Sequence, residues 1–339
     1  MTRRVVHTLG GCALVFLGGL PACEAPPTGP AAAPPNGIRG FNLADWTANG
    51  YASPGDPVGE LDQAGANAVS IVITAYQADP WASQLRAHDP RTPTPIAVSV
   101  AADRALGLGM RVILKPHVDL DDGTWRGRIE PSDPNAWFAA YGSFVLDWAR
   151  FAEARGIDGL VIGTELAGTL EHSDLWRRLV AEVRAAFSGE LSYAASWDEA
   201  HLVPFWPELD VVGIDFYYPV ARRPDAGRVE ILAGWQPWLA RLERLHRQTG
   251  RPIVIAEIGY RSVDGAALHP YEFGNDAAID LQEQADLYWA AIEATGRESW
   301  IAGIYFWNWL ASGGGGADDM DYTPRGKPAE DVLREAWSS

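Results

Sequence analysis

From residue 38 to the C-terminus the chain repeats one pattern eight times: a short apolar run rich in β-branched residues, then a connection or a stretch with apolar residues at helical spacing. The runs cover 38–43, 68–74, 111–115, 159–163, 191–195, 211–215, 253–256 and 301–306. Apolar runs without polar alternation predict strands buried on both faces, as in a parallel sheet with helices outside it. Residues 136–154, 175–187, 235–249 and 281–294 read as helices. Gly65, Gly109, Gly156 and Gly250 stand where a helix closes before the next strand, the position at which glycine supplies a left-handed turn. Eight such alternations with no break in composition predict a single (β/α)8 TIM barrel. An open doubly wound sheet is the alternative. No G-x-G-x-x-G follows the first run, which counts against its dinucleotide-binding version.

A barrel of this kind gathers function where its strands end. The strand ends here supply Asn42, Asp45 and Trp46; Tyr76 and Gln77; Lys115, His117 and Asp119; Thr164 and Glu165; Ser196, Trp197 and Asp198; Asp215 and Tyr217; Glu257 and Tyr260; and Trp307, Asn308 and Trp309. The strand starts carry nothing comparable. Glu165 and Glu257 stand out. A carboxylate at the end of a doubly buried strand is costly unless the strand opens into a polar cleft. Two of them, far apart in sequence, suggest one shared cleft. Paired carboxylates are the minimum equipment for cleaving a glycosidic bond.

The chain has 339 residues, 47% of them hydrophobic, enough for a full core, and a formal net charge of −17. That charge argues against a basic surface for nucleic acid or anionic lipid. The 15 tryptophans exceed what a core needs. Indole rings suit surfaces that are dry on the face and polar at the edge, which sugars offer, although most are expected to pack between helices and sheet. Residues 1–22 read as a secretory signal, with Arg3 and Arg4 ahead of a short apolar stretch. The signal ends in Leu20-Pro21-Ala22-Cys23, which resembles the lipobox of bacterial lipoproteins; by that resemblance Cys23 is lipidated. Residues 23–37, rich in Pro and Ala, read as an extended tether, and residues 38–339 as the folded domain. The expected location is outside the cytoplasm, held to a bacterial membrane by the lipid alone.

The strings GTELAG (163–168), KPHVD (115–119), YAASWDE (193–199), AEIGYRSVDGAA (256–267), FWNW (306–309) and YTPRGKPAE (322–330), with FNLADWTANGYASPG (41–55) at the first strand, resemble glycoside hydrolase family 113 over nearly the whole domain. That family belongs to the retaining glycosidases of clan A, and its described activity is mainly on β-1,4-mannan. The resemblance implies a (β/α)8 barrel with Glu165, after the fourth strand, as acid/base. It implies Glu257, after the seventh, as nucleophile, and Tyr217 as a hydrogen-bond donor to it. A structural ion pair with arginine is the plainer reading of either glutamate alone. One departure stands out: Thr164 occupies the place where most of the clan has Asn.

Trp46, Tyr76, Lys115, His117, Thr164, Trp197, Trp307 and Trp309 are the expected sugar contacts, with Trp81 and Trp125 as further platforms. Trp307 is the first choice at the bond to be cut, because the clan often has Trp after strand eight. Lys115 and Lys327 are the only lysines. Two readings stand for Lys115: contact with a sugar hydroxyl or orientation of a carboxylate, against a structural salt bridge. His117 with Asp119 is too sparse a pattern for a metal, so no metal or other cofactor is expected. The glycine-rich segment 312–319 is either a lid or an idle loop. The expected substrate is mannan or glucomannan. A retaining enzyme for another β-linked glycan, or a non-catalytic carbohydrate-binding lipoprotein, is the alternative.

Overall fold

The computed structural model describes residues 37–274 and 277–338. The signal segment, Cys23 and the tether up to Asn36 lie outside the described residues.

The strands are β1 (Ile38–Ala44), β2 (Ala68–Gln77), β3 (Arg111–Leu120), β4 (Gly159–Thr164), β5 (Glu190–Ser196), β6 (Val211–Asp215), β7 (Ile253–Ile258) and β8 (Ile301–Leu310). All pair in parallel in sequence order, and β8 closes on β1 with Phe41 opposite Phe306, so the sheet is a closed barrel. The helices are α1 (Pro57–Gln63), α2 (Pro95–Gly107), α3 (Pro134–Arg155), α4 (Ser173–Ala186), α5 (Arg228–Gly234), α6 (Gln236–Thr249), α7 (Leu281–Gly296) and α8 (Pro328–Trp337). The four helices expected from periodicity correspond to α3, α4, α6 and α7. Two short 3-10 turns, Ala200–Leu202 and Trp206–Glu208, connect β5 to β6 in place of a helix.

Helix starts follow from local chemistry. Asp56-Pro57, Thr94-Pro95 and Asp133-Pro134 each put an oxygen side chain at the N-cap and a proline at the first helical position. The cap accepts a free backbone N–H, and proline loses nothing where no N–H is needed. The glycines act as expected: Gly65, Gly109, Gly156 and Gly250 all have positive φ, between 63° and 88°.

Two apolar layers stabilise the barrel. Inside it, Ala68, Ile113, Val161, Ala194, Val211, Val254, Ala256 and Tyr305 form a compact plug. Outside it, a larger core joins strands to helices, with Trp137, Trp176, Trp235 and Trp309 among its fully buried members. The inner plug fills the lower barrel, so the polar residues further along the same strands meet at its C-terminal mouth.

Candidate active site

Three strand irregularities shape the mouth. Against β6 the register of β7 slips between Ile255 and Glu257, so Asp215 of β6 pairs with Glu257 rather than Ala256. A one-residue slip changes which face a side chain takes. Ala256 belongs to the inner plug, and the slip keeps Glu257 inside as well. On β8 the partner of Asn42 is Trp307 and that of Leu43 is Trp309, with Asn308 passed over. Just past β4, Glu165 has φ of 52°, one of two non-glycine residues with positive φ among those described. Such a backbone costs about 1–3 kcal/mol and is found where a side chain must be aimed. Its N–H donates to the Ala194 carbonyl at 2.8 Å, which fixes the turn.

Glu257 sits among three polar groups, of which Lys115 carries the positive charge. Lys115 Nζ donates to its Oε1 at 2.5 Å, and Tyr217 Oη donates to its Oε2 at 3.1 Å. His117 Nε2 stands 3.5 Å from Oε1. Burial alone would raise the Glu257 carboxyl, but the Lys115 ammonium and His117 outweigh it and hold the group below the usual carboxylate range. His117 itself is pushed down to about 4, first by burial and then by Arg126, so its ring is neutral near pH 7.

Glu165 is gripped differently. Trp125 Nε1 donates to its Oε2 at 2.9 Å, and Arg126 Nη1 lies 3.4 Å from the same oxygen. Arg126 is shared, its Nη2 being 2.6 Å from Asp119 Oδ1. Burial raises the Glu165 carboxyl; Arg126 opposes this, the charge of Glu257 adds to it, and the net direction is upward. The two carboxyls are therefore driven apart, Glu257 toward the ionised form and Glu165 toward the protonated one. That separation distinguishes an acid from a nucleophile.

Several expected sugar contacts are arranged otherwise. Lys115 is 0% exposed and spends its ammonium on Glu257, Asp215 and the Ala256 carbonyl, which favours carboxylate orientation over sugar contact. The Thr164 hydroxyl is buried and donates to the Pro116 carbonyl at 3.0 Å, so its proton is committed to the barrel wall. Trp309 is 1% exposed, packs edge-on to Phe41 and donates to Glu60 at 3.2 Å. The register slip at Asn308 turns it into the outer core, away from the cleft. Tyr76 is also buried, and the Arg91 guanidinium covers one ring face at 3.6 Å.

Trp307 remains at the mouth, its ring parallel to His117 at 5.9 Å and edge-on to Trp46 at 6.4 Å. His117 is buried beneath it and offers no open face of its own. Trp46 is 38% exposed, Trp125 42% and Trp81 63%. Trp197 is half-buried, parallel to Tyr271 at 6.2 Å. Arg126 and Glu199 were not legible as site residues from the sequence. Glu199 is pushed up to about 7, chiefly by burial and then by Asp198 and Glu165, and its Oε2 has no hydrogen-bond partner among the described residues. Its place at the end of the string YAASWDE (193–199) was the available signal.

The glycine-rich segment is tied at its base. Gly313 to Gly316 all have φ between 92° and 106°. Asp319 accepts from the Gly315 N–H at 2.9 Å and from Lys327 Nζ at 2.9 Å.

Trp307 and Trp309 should separate cleanly on mutation. Trp309→Ala is expected to cost about 3–5 kcal/mol of stability by opening a core cavity. Trp307→Ala should leave the melting temperature nearly unchanged and raise KM about tenfold, roughly 1.4 kcal/mol of binding. Thermal unfolding alongside steady-state kinetics on a soluble mannan would read both.

Comparison with known proteins adds the context. A model of Glycoside Hydrolase Family 113 matches residues 52–327. Among curated proteins none matches the sequence. A solved GH113 β-1,4-mannanase is 29% identical, with 89% of this chain and 99% of that one covered and a TM-score of 0.80. A complex of a GH113 β-1,4-mannanase is 27% identical over 90% and 99% of the two chains, with a TM-score of 0.81. The GH113 β-mannanase of Alicyclobacillus acidocaldarius, in complex with ManMIm, is 26% identical over 89% and 97%, with a TM-score of 0.82. The family model spans most of the chain, and the fold agrees with it. The chain belongs to glycoside hydrolase family 113 and is a glycosidase.

Proposed function

We propose that the chain is a retaining endo-β-1,4-mannanase in which Glu257 is the nucleophile and Glu165 the acid/base. The observation that carries this reading is the opposite treatment of two carboxyls on one rim. Glu257 is held ionised by Lys115 and His117, and Glu165 is raised by burial and by its neighbour's charge. Glu257 attacks the anomeric carbon while Glu165 gives its proton to the leaving oxygen. Water then attacks the same carbon, passing its proton to Glu165, and Glu257 leaves as a carboxylate. Tyr217 fixes the rotamer of Glu257. The Thr164 hydroxyl is committed to Pro116, so another group takes the contact with the sugar 2-hydroxyl that the resemblance assigns to Asn elsewhere in the clan. Trp307 is the platform nearest the bond to be cut.

The mannan assignment draws on the similar β-1,4-mannanases. A reducing-end assay on mannan, glucomannan, cellulose and xylan tests it, with proton NMR of the first-formed anomer. Cleavage of mannan or glucomannan with a β product is expected. Activity on cellulose or xylan alone would reassign the sugar, an α product would remove the retaining mechanism, and no activity on any polymer would leave the binding-only alternative.

The N-terminal segment supports a lipid-anchored placement outside the cytoplasm, with Cys23 as the modified residue and residues 23–37 as the tether. Cys23→Ala in the full chain should move the protein from the membrane fraction to the soluble fraction of an expressing bacterium. Persistence in the membrane fraction would sink the anchor.

A further inference from the structure

The two-step reaction leaves Asp215 without a task, although it lies against the nucleophile. Asp215 ends β6, is 0% exposed, and its Oδ1 is 3.2 Å from Lys115 Nζ. The β7 register slip places it directly opposite Glu257. Two carboxyl groups therefore share one ammonium in a dry part of the barrel, where one cation can fully neutralise only one of them. Glu257 has the shorter contact, 2.5 Å against 3.2 Å, and the Tyr217 hydroxyl in addition. Asp215 Oδ2 has no hydrogen-bond partner among the described residues. A bare oxygen is tolerable on a neutral acid and very costly on a buried carboxylate. Burial, and then the charge of Glu257, push the Asp215 carboxyl well upward in the same direction.

We propose that Lys115 and Asp215 form a positioning pair for Glu257, in which Asp215 is a neutral carboxylic acid that cedes the ammonium to Glu257 at rest and holds it through Oδ1 while Glu257 is esterified. The proposal rests on Glu257 being the nucleophile. In the first step the Glu257–anomeric carbon bond forms as the glycosidic bond breaks, and Glu257 loses its negative charge. Lys115 then keeps Asp215 Oδ1 and the Ala256 carbonyl as partners and stays in place. In the second step the ester bond breaks, its electron pair returns to Glu257, and the waiting ammonium stabilises that charge. Asp215 keeps its proton throughout.

Infrared spectroscopy tests the protonation directly. At neutral pH the wild-type minus Asp215→Asn difference spectrum should contain the carbonyl stretch of a buried carboxylic acid. Glu165→Gln identifies the separate band of Glu165. A difference spectrum showing only carboxylate bands would overturn the proposal. The pH profile tests the pairing. The groups facing Glu257 are Lys115, His117, Arg126, Glu165, Asp215, Tyr217 and Tyr322. Lys115→Met removes the ammonium, so the acid limb of kcat/KM should move up by at least one pH unit, with activity reduced about a hundredfold. An unmoved limb in a folded Lys115→Met variant would overturn it too. Glu257→Ala with azide and an aryl mannoside separates the two readings. Formation of a glycosyl azide upholds Glu257 as nucleophile whatever the Lys115 and Asp215 variants do; its absence, with hydrolysis retained, removes both.

Discussion

Glu257→Ala should lower kcat/KM on mannan by roughly four orders of magnitude, about 5.4 kcal/mol of transition-state stabilisation. The loss exceeds that of a binding contact because both steps fail: no ester forms, and none is available for water to cleave. Added azide should restore turnover of an aryl mannoside with a good leaving group, because a small anion fits where the carboxylate was and the Lys115 ammonium remains to attract it. The same variant breaks a buried ion pair, a change that typically costs about 3–5 kcal/mol. Circular dichroism on the same sample separates lost chemistry from lost fold. Near-wild-type activity on mannan would remove Glu257 from the mechanism.

Glu165→Gln should lower kcat/KM on mannan by about 10²–10⁴, the usual range for a general acid/base. The effect should depend on the leaving group. A sugar alkoxide needs the proton, whereas an activated phenolate does not, so an aryl mannoside should form the glycosyl-enzyme readily and then hydrolyse it slowly. A burst of phenol followed by a slow steady state is the signature. The pH profile carries a second one. Glu165 is raised above its ordinary value, so its acid form persists to higher pH and activity is lost as pH rises through that value. Glu257 is depressed, so its carboxylate persists to low pH and activity is lost as pH falls through that value. Glu165→Gln should abolish the alkaline limb and leave the acid limb in place. An alkaline limb that survives unchanged would assign it to another group.

What the sequence made legible was whatever depends on local chemistry. Eight apolar runs became eight strands, and four glycines closed helices as their position requires. The strand-end residues collected at one mouth, Glu165 and Glu257 among them. What it hid depends on register and on long side chains reaching across space. Strand alternation puts Trp307 and Trp309 on the same face, and only the slip at Asn308 sends Trp309 outward. The same kind of slip on β7 brings Asp215 and Glu257 together. Arg126 lies in a short turn after β3, and nothing in its sequence neighbourhood announces the carboxylates it reaches, Glu165 and Asp119. Helices α2 and α8 have apolar faces, yet their segments carried no strand-like or helix-like reading strong enough to be placed; their proline starts and oxygen caps at α2 were the available signal.

The two lysines have a consequence outside catalysis. Both are buried, Lys115 against Glu257 and Lys327 against Asp319, and the remaining side-chain cations are guanidinium or imidazole groups. The folded surface thus offers amine-directed reagents no ε-amino group. Acylation of either lysine has to wait for the barrel mouth or the glycine-rich loop to open, and its rate counts those openings. The enzyme carries its own pair of chemical clocks, one at the barrel mouth and one at the glycine-rich loop.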